Sequence, residues 1–478
     1  MLVEQAVAEA LNSIVINNNV TADNRMEFDL WLGLSGGVDS TVLLHAAAYY
    51  CSLQCSEGYN RKLKAIHVHH GLSENADEWA KQAQALCINL SRKFSITIDC
   101  FVEKVQLDDR SDGLEQAARS ARYQAFEKYC GPNDLLLQGH HLDDQIETFF
   151  MRAVRGSGLT GLASIPKQRS LSRTNTCQIL RPLLAIEKTK IIEYAQQQQL
   201  DWVEDESNQD SDIDRNWWRN ELLPQIWQRY PKQKHSLSRT INTIHHEQNL
   251  LQKLIINDIS SHDALPLLKL EIHAALKDIP SFDLLLIKEL NQVTSVSYLR
   301  AWFSQYVDIL PSVIQMQTIY ADMVLARADS EPQFKGAEFV LYRYQNRLYL
   351  LKTSILNNIA AGLRLTTSVN WQGEELKCFS GFLTCTDLDS NFALKPARYI
   401  VRNWQAGDVA KPFGRSTRKM KKWWQDYNVP SWMREHWPMI VNEETYEIAA
   451  VPGLFVCQGY CVEQGSSGWL VEYKVNLI

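Results

Sequence analysis

Short apolar runs alternate with helix-like segments over residues 28–154 of the chain. The apolar runs cover residues 28–34, 64–70, 95–105 and 134–140. Helical periodicity follows each run, from near Asp39 and over residues 76–92, 114–129 and 142–154, and two more helices are predicted near 186–198 and 216–229. This alternation is typical of parallel strands joined by crossover helices. We therefore predict an α/β N-terminal domain, residues 1–225, on a doubly wound parallel sheet.

The pattern changes after residue 225. From about residue 231 to 325 it is mostly helical, and apolar side chains recur at spacings of three and four over 236–259. A hairpin is predicted at 339–351, and short strands with turn residues follow it. We predict a mainly helical middle domain, residues 226–352, and a small α+β C-terminal domain, residues 353–478.

Composition agrees with several globular domains. The 478 residues exceed one typical core of roughly 150 residues, and 45% of them are hydrophobic. The net charge of −6 means that a polyanionic partner needs a local basic patch. The ten cysteines form no CxxC pair, and neither a signal peptide nor an apolar run of roughly 18 residues is evident. We expect a cytoplasmic protein that does not enter a membrane.

A glycine turn between the first strand and its helix carries the most informative motif: Ser35, Gly36, Gly37, Val38, Asp39, Ser40. Its N–H groups and the helix N-terminus favour phosphate oxygens. The Walker lysine pattern GxxxxGK[ST] is absent, which excludes a kinase or GTPase loop. The alternative is an ordinary glycine turn without a ligand.

A second motif, residues 139–148, follows the fourth apolar run. Asp144 and Glu147 are three positions apart, so on a helix they share a face and can hold an ammonium group or Mg²⁺. Alternatively, Asp143 caps the helix and the acids merely stabilise its dipole. A zinc site is a further alternative, because His140 and His141 join the histidines at 67, 69 and 70.

Two basic segments complete the candidate site residues. Arg119 and Arg122 lie on one predicted helix face and suit phosphates, although a solvated basic face explains them better when they are taken alone. Residues 411–422 contain six basic side chains and no acid, and tryptophans 423, 424, 432 and 437 follow. This block suits RNA phosphates and base stacking, with Arg415, Lys419, Lys421 and Lys422 as contacts. The alternative is that the tryptophans form a core.

These motifs, in this order, resemble the three-domain tRNA(Ile)-lysidine synthases of the PP-loop, or N-type ATP pyrophosphatase, superfamily. Further strings carry the likeness: Arg155–Gly158, Arg181–Leu184, Asp205–Asn208, Arg215–Arg219, Gly407–Asp408, Lys411–Arg415, Arg418–Asp426, Val429–Trp432 and Val451–Phe455. The likeness covers about residues 28–225 and 400–456. The chain departs from the family at His69, where asparagine is usual, and at Ser431–Met433.

The resemblance implies an ATP-dependent ligase that joins free lysine to C2 of the wobble cytidine, position 34, of tRNA(Ile) with a CAU anticodon. The base oxygen first attacks the α-phosphorus of ATP and releases pyrophosphate, and the lysine amine then displaces AMP. By this likeness, residues 35–40 hold ATP, and Arg119 and Arg122 stabilise charge on phosphorus. Asp39, Asp144 and Glu147 are catalytic and share Mg²⁺ binding and capture of the lysine amines. Asp39 is the expected Mg²⁺ ligand, but the likeness does not divide the remaining roles among the three carboxylates.

Two other functions compete with this interpretation. A tRNA 2-thiolating enzyme also adenylates a base, but it needs paired thiols or a cluster, and no CxxC pair is present. A non-catalytic tRNA-binding protein would use only the basic block, yet Ser35, Asp39, Asp144 and Glu147 are all retained. Pyrophosphate exchange that depends on tRNA separates a catalyst from a binding protein.

Overall fold

A computed structural model defines the architecture described below. It describes residues 2–17, 29–56, 62–71, 73, 75–105, 114–204, 214–262, 279–327, 330–353, 369–378, 381–388, 393–434, 437–463 and 466–475. The chain forms two compact units, Met1–Leu251 and Gln252–Ile478. Among the described residues, no helix combines the length and hydropathy needed to span a bilayer.

A six-stranded sheet organises the first unit. Its strands are β1 (Leu30–Gly33), β2 (Leu63–His69), β3 (Ile98–Lys104), β4 (Leu135–Leu137), β5 (Gln168–Ser170) and β6 (Gln178–Leu180). They lie in the order β3-β2-β1-β4-β6-β5, and all neighbours are parallel except the β5/β6 pair. Because chain order reverses between β1 and β4, a crevice opens at their carboxyl ends, where such sheets bind ligands.

Helices cover both faces of this sheet. They are α1 (Leu2–Asn17), α2 (Val38–Ser56), α3 (Ala76–Phe94), α4 (Leu114–Tyr129), α5 (Leu142–Val154), α6 (Leu159–Leu162) and α7 (Lys188–Gln197). Leu30 and Leu32 face a core shared with α1, α2, α3 and α7, whereas Trp31 faces the opposite core, with Phe126 of α4. Alternate strand residues thus enter opposite layers. The predicted doubly wound sheet is confirmed.

A third, smaller core forms where the chain leaves the sheet. Here α8 (Asp214–Trp217) continues through a π-helical turn, Trp218–Leu222, into α9 (Leu223–Arg229) and then α10 (Lys234–Ser261). Leu223 packs with Leu142 and Ile146 of α5 and with Ile241 of α10. This packing fixes the segment 214–229 against the start of α5.

The second unit begins within α10 and continues with helices Gln292–Phe303 and Val313–Ile319. The predicted hairpin is confirmed as β9 (Phe339–Tyr344) paired with β10 (Arg347–Lys352). The mostly helical prediction is wrong at Ser281–Asp283, which forms strand β7 beside β10, with β8 (Gln333–Lys335) on the other edge. These three residues are too few for hydrophobic periodicity to distinguish strand from helix.

The C-terminal part consists of short antiparallel strands and two short helices, Met420–Asp426 and Ser431–Arg434. Its strands are β11 (Val369–Trp371), β12 (Leu376–Cys378), β13 (Gly381–Leu388), β14 (Tyr399–Asn403), β15 (Val409–Ala410), β16 (Arg418–Lys419), β17 (Pro438–Asn442), β18 (Ile448–Val451), β19 (Phe455–Val456) and β20 (Gly468–Val475). Trp371, Trp423, Trp424 and Trp437 are buried in their shared core. A helical middle region followed by a sheet-rich C-terminal part matches the predicted fold class.

Candidate active site

The glycine turn lies at the carboxyl end of β1, as the motif predicts. Gly36 has a φ of +91°, which favours glycine. Its N–H donates to Ser40 Oγ at 3.2 Å, and Ser40 Oγ donates to the Gly37 carbonyl at 3.0 Å. Ser35 Oγ lies 3.1 Å from Ser40 Oγ. The two hydroxyls therefore hold the turn at the N-terminus of the 19-residue helix α2.

Close packing brings the end of β4 against this turn. A Cβ on Gly139 would lie 3.2–3.3 Å from backbone and Cβ atoms of Asp39. Only glycine allows this approach without displacement. The motif at 139–148 is thereby placed directly beside the motif at 35–40.

Lys188, at the start of α7, holds the Asp39 carboxylate. Its Nζ donates to both Asp39 oxygens at 2.7 Å. His141 Nε2 lies 3.7 Å from Asp39 Oδ1, beyond hydrogen-bonding distance. The sequence did not predict this role of Lys188, because no local motif identifies a lysine that lies 149 positions from its partner.

Asp144 and Glu147 lie side by side, and two arginines bridge them. Arg215 donates to Asp144 Oδ1 at 2.8 Å and to Glu147 Oε2 at 2.9 Å. Arg219 donates to Glu147 Oε1 at 2.7 Å and to Asp144 Oδ1 at 3.1 Å. Asp144 is 8% exposed and Glu147 is 1% exposed. Four charged groups thus form a closed, mostly buried network beside the crevice.

The charges of this network stabilise one another. Burial opposes ionisation of Asp144, but His141 and Arg215 outweigh it and hold the pKa of that carboxyl well below its usual range. Burial also opposes the charge on Arg219, yet Glu147 and Asp144 raise its pKa above the usual value. The sequence indicates Arg215 and Arg219 only through the family resemblance. The two arginines are four positions apart on a predicted helix. This spacing places them on one helix face and was the sequence signal that they act together.

The neighbouring Asp143 has a different role from the predicted capping of its own helix. The His141 N–H donates instead to Asp144 Oδ2, at 3.0 Å. Asp143 Oδ2 accepts the backbone N–H of Lys188 at 2.9 Å, and its Oδ1 pairs with Lys234 at 2.6 Å. Asp143 therefore ties α5 to the start of α7 and of α10, which sequence spacing alone does not reveal.

A cavity of about 160 Å³ opens beside the network. Charged and polar side chains form one part of its wall, and apolar side chains form the other. Its lining consists of His141, Asp143, Glu147, Lys188 and Arg219, with Ile146, Leu223, Pro224 and Trp227. Such a lining suits a small ligand that has both charged ends and an aliphatic part.

Arg119 and Arg122 lie exposed on α4. The pKa of His140 is lowered to about 3 by burial and by the charges of Arg181, Arg215 and Arg119. Burial and Arg122 lower the pKa of His70 to about 4. These effects locate both arginines near the ends of β4 and β2.

Neither a zinc centre nor a carboxylate cluster for magnesium is found among the described residues, where no group of three or more His, Cys, Asp or Glu side chains is arranged to hold a metal ion. Mg²⁺ commonly takes one or two carboxylates and completes its shell with phosphate oxygens. Asp39 fits that limited role as a single ligand. The predicted string Asp205–Asn208 lies outside the described residues.

The C-terminal block divides into an exposed basic surface and a buried aromatic core. Arg415, Lys419, Lys421 and Lys422 are exposed. The guanidinium carbons of Arg415 and Arg418 lie 5.8 and 5.3 Å from the centre of the Trp423 ring. Trp423, Trp424 and Trp437 are at most 1% exposed, so the predicted stacking of bases on them is wrong. Their large apolar area fills the domain core instead.

Family models match three parts of the chain. A model of the PP-loop domain matches residues 5–226, one of the TilS substrate binding domain matches 288–349, and one of the TilS substrate C-terminal domain matches 400–473. A tRNA(Ile)-lysidine synthase of Photobacterium profundum is 35% identical over 446 residues, covering 92% of this chain and 94% of the relative. The chain belongs to the tRNA(Ile)-lysidine synthase family.

Other lysidine synthases agree with this placement. The enzyme of Vibrio campbellii is 33% identical over 442 residues, covering 90% of this chain and 92% of the relative. As a member of the lysidine synthase family, the protein is an ATP-dependent ligase with a PP-loop catalytic fold. The predicted family and enzyme class are confirmed, whereas the roles of the individual site residues and the domain limits at 225 and 352 stay predictions.

Proposed function

We propose that the protein joins free lysine to C2 of cytidine 34, the wobble base of tRNA(Ile) with a CAU anticodon, and releases AMP and pyrophosphate. The names of its relatives support tRNA(Ile) as the substrate. The observation that carries the proposal is the position of Lys188. This residue binds Asp39 of the phosphate-binding turn and also lines the cavity with Glu147 and Arg219. The expected ATP site and a cavity for an amino acid are therefore contiguous.

In the first step, the C2 oxygen of cytosine attacks the α-phosphorus of ATP and pyrophosphate leaves. Backbone N–H groups of residues 35–40, at the N-terminus of α2, bind the departing phosphates. Arg119 and Arg122 offset the negative charge that develops on the phosphoryl oxygens. Asp39, together with phosphate oxygens, would hold Mg²⁺, which neutralises charge on the triphosphate.

In the second step, lysine occupies the cavity. Asp143 and Glu147 attract its ammonium groups, and Lys188 and Arg219 attract its carboxylate. The apolar wall of Ile146, Leu223 and Trp227 contacts its aliphatic chain. A cavity carboxylate takes a proton from the ε-ammonium group, because only a neutral amine can attack C2. AMP then leaves. Asp144 does not line the cavity; it positions Arg215 and Arg219 by accepting hydrogen bonds from both.

The C-terminal basic surface contributes to tRNA binding in this proposal. Arg415, Lys419, Lys421 and Lys422 are exposed and have no acidic neighbour between residues 411 and 422. Such a surface offsets the net charge of −6 where a polyanion binds. Its contacts are with phosphates, since Trp423, Trp424 and Trp437 are buried.

The test is lysine incorporation by the purified full chain. The protein is incubated with ATP, Mg²⁺, radiolabelled lysine and either tRNA(Ile) with a CAU anticodon or tRNA(Met), which shares that anticodon. Label in the first tRNA alone is expected. Label in both tRNAs would contradict the substrate specificity, and absence of label with AMP still formed would contradict lysine as the nucleophile.

The pairing, burial and protonation of the cysteine thiols disfavour the competing thiolation function. Cys87 and Cys100 form one neighbouring pair, and Cys130 and Cys177 form another. Hydrogen bonding within each pair and burial raise the pKa of the Cys87 and Cys130 thiols well above the usual value, whereas the hydrogen bond from Cys87 lowers the pKa of the half-buried Cys100 thiol. The protonated thiols of Cys87 and Cys130 are poor nucleophiles, so neither pair offers two reactive thiols. Sulfur transfer to tRNA would contradict the proposal directly.

A further inference from the structure

A group of three arginines surrounds Tyr123 on the α4 side of the sheet. The guanidinium carbons of Arg119 and Arg169 lie 5.1 and 4.9 Å from the centre of the Tyr123 ring. Arg181, which directly follows β6, is 2% exposed and donates to Gln138 Oε1 at 2.9 Å and to the Pro166 carbonyl at 2.8 Å. We call these residues, with Tyr123, the Tyr123 cluster.

The positive charges of the Tyr123 cluster lack an acidic partner. Within the described part of the chain, no carboxylate pairs with Arg119, Arg169 or Arg181. Burial and the charges of Arg169 and Arg119 lower the pKa of Arg181 to about 10. The Tyr123 oxygen is buried and makes no hydrogen bond of good geometry to a described residue. Guanidinium groups that repel one another around an unsatisfied hydroxyl are the arrangement expected for an anion site.

The positive charges of the three arginines also lower the pKa of Tyr123. Burial opposes ionisation of the phenol, but the charges of Arg169, Arg119 and Arg181 outweigh it and lower the pKa to about 8. A protonated phenol beside three cations offers one O–H donor and two forked donors to a tetrahedral anion. The chemistry therefore favours a phosphate group.

The location separates the Tyr123 cluster from the phosphate-binding turn. Arg169 is the central residue of β5, the antiparallel edge strand, and it pairs with Ile179. Tyr123 packs in the core of the α4 layer, whereas α2 packs in the opposite layer. A phosphate held between Tyr123 and Arg169 lies toward the β5 edge of the sheet, whereas Arg119 also acts on His140 at the end of β4 and is shared with the crevice.

We propose that the Tyr123 cluster binds a backbone phosphate of the RNA close to the base that is modified. The proposal rests on the proposed function, in which a tRNA is the substrate. The cluster holds the strand at the sheet edge while the base enters the crevice. The triphosphate of ATP carries the same chemical group, so the experiment must distinguish the two sources.

The test compares Arg169→Gln with Lys190→Gln, which removes the same charge from an exposed site on α7 in the opposite layer. Dissociation constants are measured for tRNA(Ile) over a salt titration and, separately, for ATP. Arg169→Gln is expected to weaken tRNA binding about tenfold and to reduce the log–log salt slope by roughly 0.7 to 0.9. ATP affinity should stay within twofold of the unsubstituted protein, and Lys190→Gln should change neither quantity.

Tyr123→Phe provides a second variant that keeps the aromatic ring. It removes the hydroxyl alone, so a several-fold loss of tRNA affinity with unchanged thermal melting is expected. Equal tRNA binding by Arg169→Gln and Lys190→Gln would overturn the proposal, as would a loss of ATP affinity without a loss of tRNA affinity. If the unsubstituted protein incorporates no lysine yet Arg169→Gln weakens tRNA binding, the proposed function fails and the phosphate site stands.

Discussion

Lys188 donates to both carboxylate oxygens of Asp39 at 2.7 Å, although 149 positions separate the two residues. This contact joins the helix that begins at the phosphate-binding turn to the helix that begins beside the cavity. A nucleotide and an amino acid bound at these places would share the same ammonium group. Substitution of Asp39 therefore tests the proposed nucleotide site directly.

Asp39→Asn and Ser40→Ala should each reduce tRNA-dependent AMP formation by at least a hundredfold. The first substitution removes the charge that Lys188 holds, and the second removes the hydroxyl that bonds Gly36 and Gly37. Single-turnover AMP release measures the effect. Ser52→Ala, near the other end of α2, is the matched control and should be near normal. Near-normal turnover in both variants with unchanged melting would refute the site assignment.

Glu147→Gln should raise the KM for lysine about tenfold or more. The carboxylate lines the cavity, and a charge-assisted hydrogen bond contributes roughly 1.5 to 3 kcal/mol. Steady-state incorporation at varied lysine and saturating ATP measures the change. Asp144→Asn should act similarly by releasing Arg215 and Arg219. An exposed carboxylate, Glu193, provides the control, and a change confined to ATP affinity would indicate metal ligands instead.

The first unit should lose stability in mild acid because of His45. This imidazole is 2% exposed, and it lies 2.9 Å from both Tyr194 Oη and Lys93 Nζ. Burial and then Lys93 lower its pKa from 6.5 to about 4. Between pH 6.5 and pH 4 the unfolded chain binds the proton more readily, so stability falls as pH falls.

Between pH 6.5 and pH 4, the free energy of unfolding should fall by about 3 kcal/mol because of His45. Above pH 6.5, His45 should cause no loss. Urea unfolding at several pH values between 4 and 7.5 measures the slope. His45→Gln should flatten the slope, whereas His235→Gln, at an exposed site, should not. An equal slope in His45→Gln would show that other groups control acid sensitivity.

Replacing Lys419, Lys421 and Lys422 together with glutamine should weaken tRNA binding and lower its salt dependence. Each lost phosphate contact removes roughly 0.9 from the log–log slope on duplex RNA, or about 0.7 on a single strand. ATP binding should not change, because the ATP site proposed above lies at residues 35–40 and not on this surface. Normal tRNA binding across a salt titration would show that this surface serves solubility.

A core variant separates this surface from the fold beneath it. Trp424→Leu removes a side chain that is fully buried, so it should destabilise the second unit by roughly 3 kcal/mol or more. The triple lysine variant should melt normally. Thermal melting of the two proteins therefore distinguishes lost RNA contact from misfolding.

Much of the first unit was predictable because its helices are long and periodic and each of its parallel strands β1–β4 is an apolar run followed by such a helix. Leu114–Tyr129 and Leu142–Val154 begin and end where the sequence pattern indicates. The motifs at 35–40 and 139–148 were also identifiable, since glycine turns and paired acids are local signals. Strand β7 has three residues and no period, so only its pairing with β10 reveals it.

Contacts between residues far apart in sequence account for what sequence analysis missed. No local sequence motif marks Lys188 as a partner of Asp39. The sequence also does not distinguish tryptophans buried in a core from tryptophans exposed for base stacking. The absence of CxxC correctly indicated no local thiol pair, yet Cys87 meets Cys100 through the fold. Tertiary packing determined each of these outcomes, and local pattern does not encode it.

The π-helical turn at Trp218–Leu222 sets a length requirement on the site. Arg219 supplies charge to the cavity from within this turn, while Leu223 and Trp227 supply its apolar wall from the helix that follows. Removing one residue between Arg219 and Leu223 would restore α-helical pitch and rotate the following side chains by about 100° relative to the arginine. Substitutions within this turn are therefore easier to accommodate during evolution than deletions, because the count of residues determines which side chains face the ligand together.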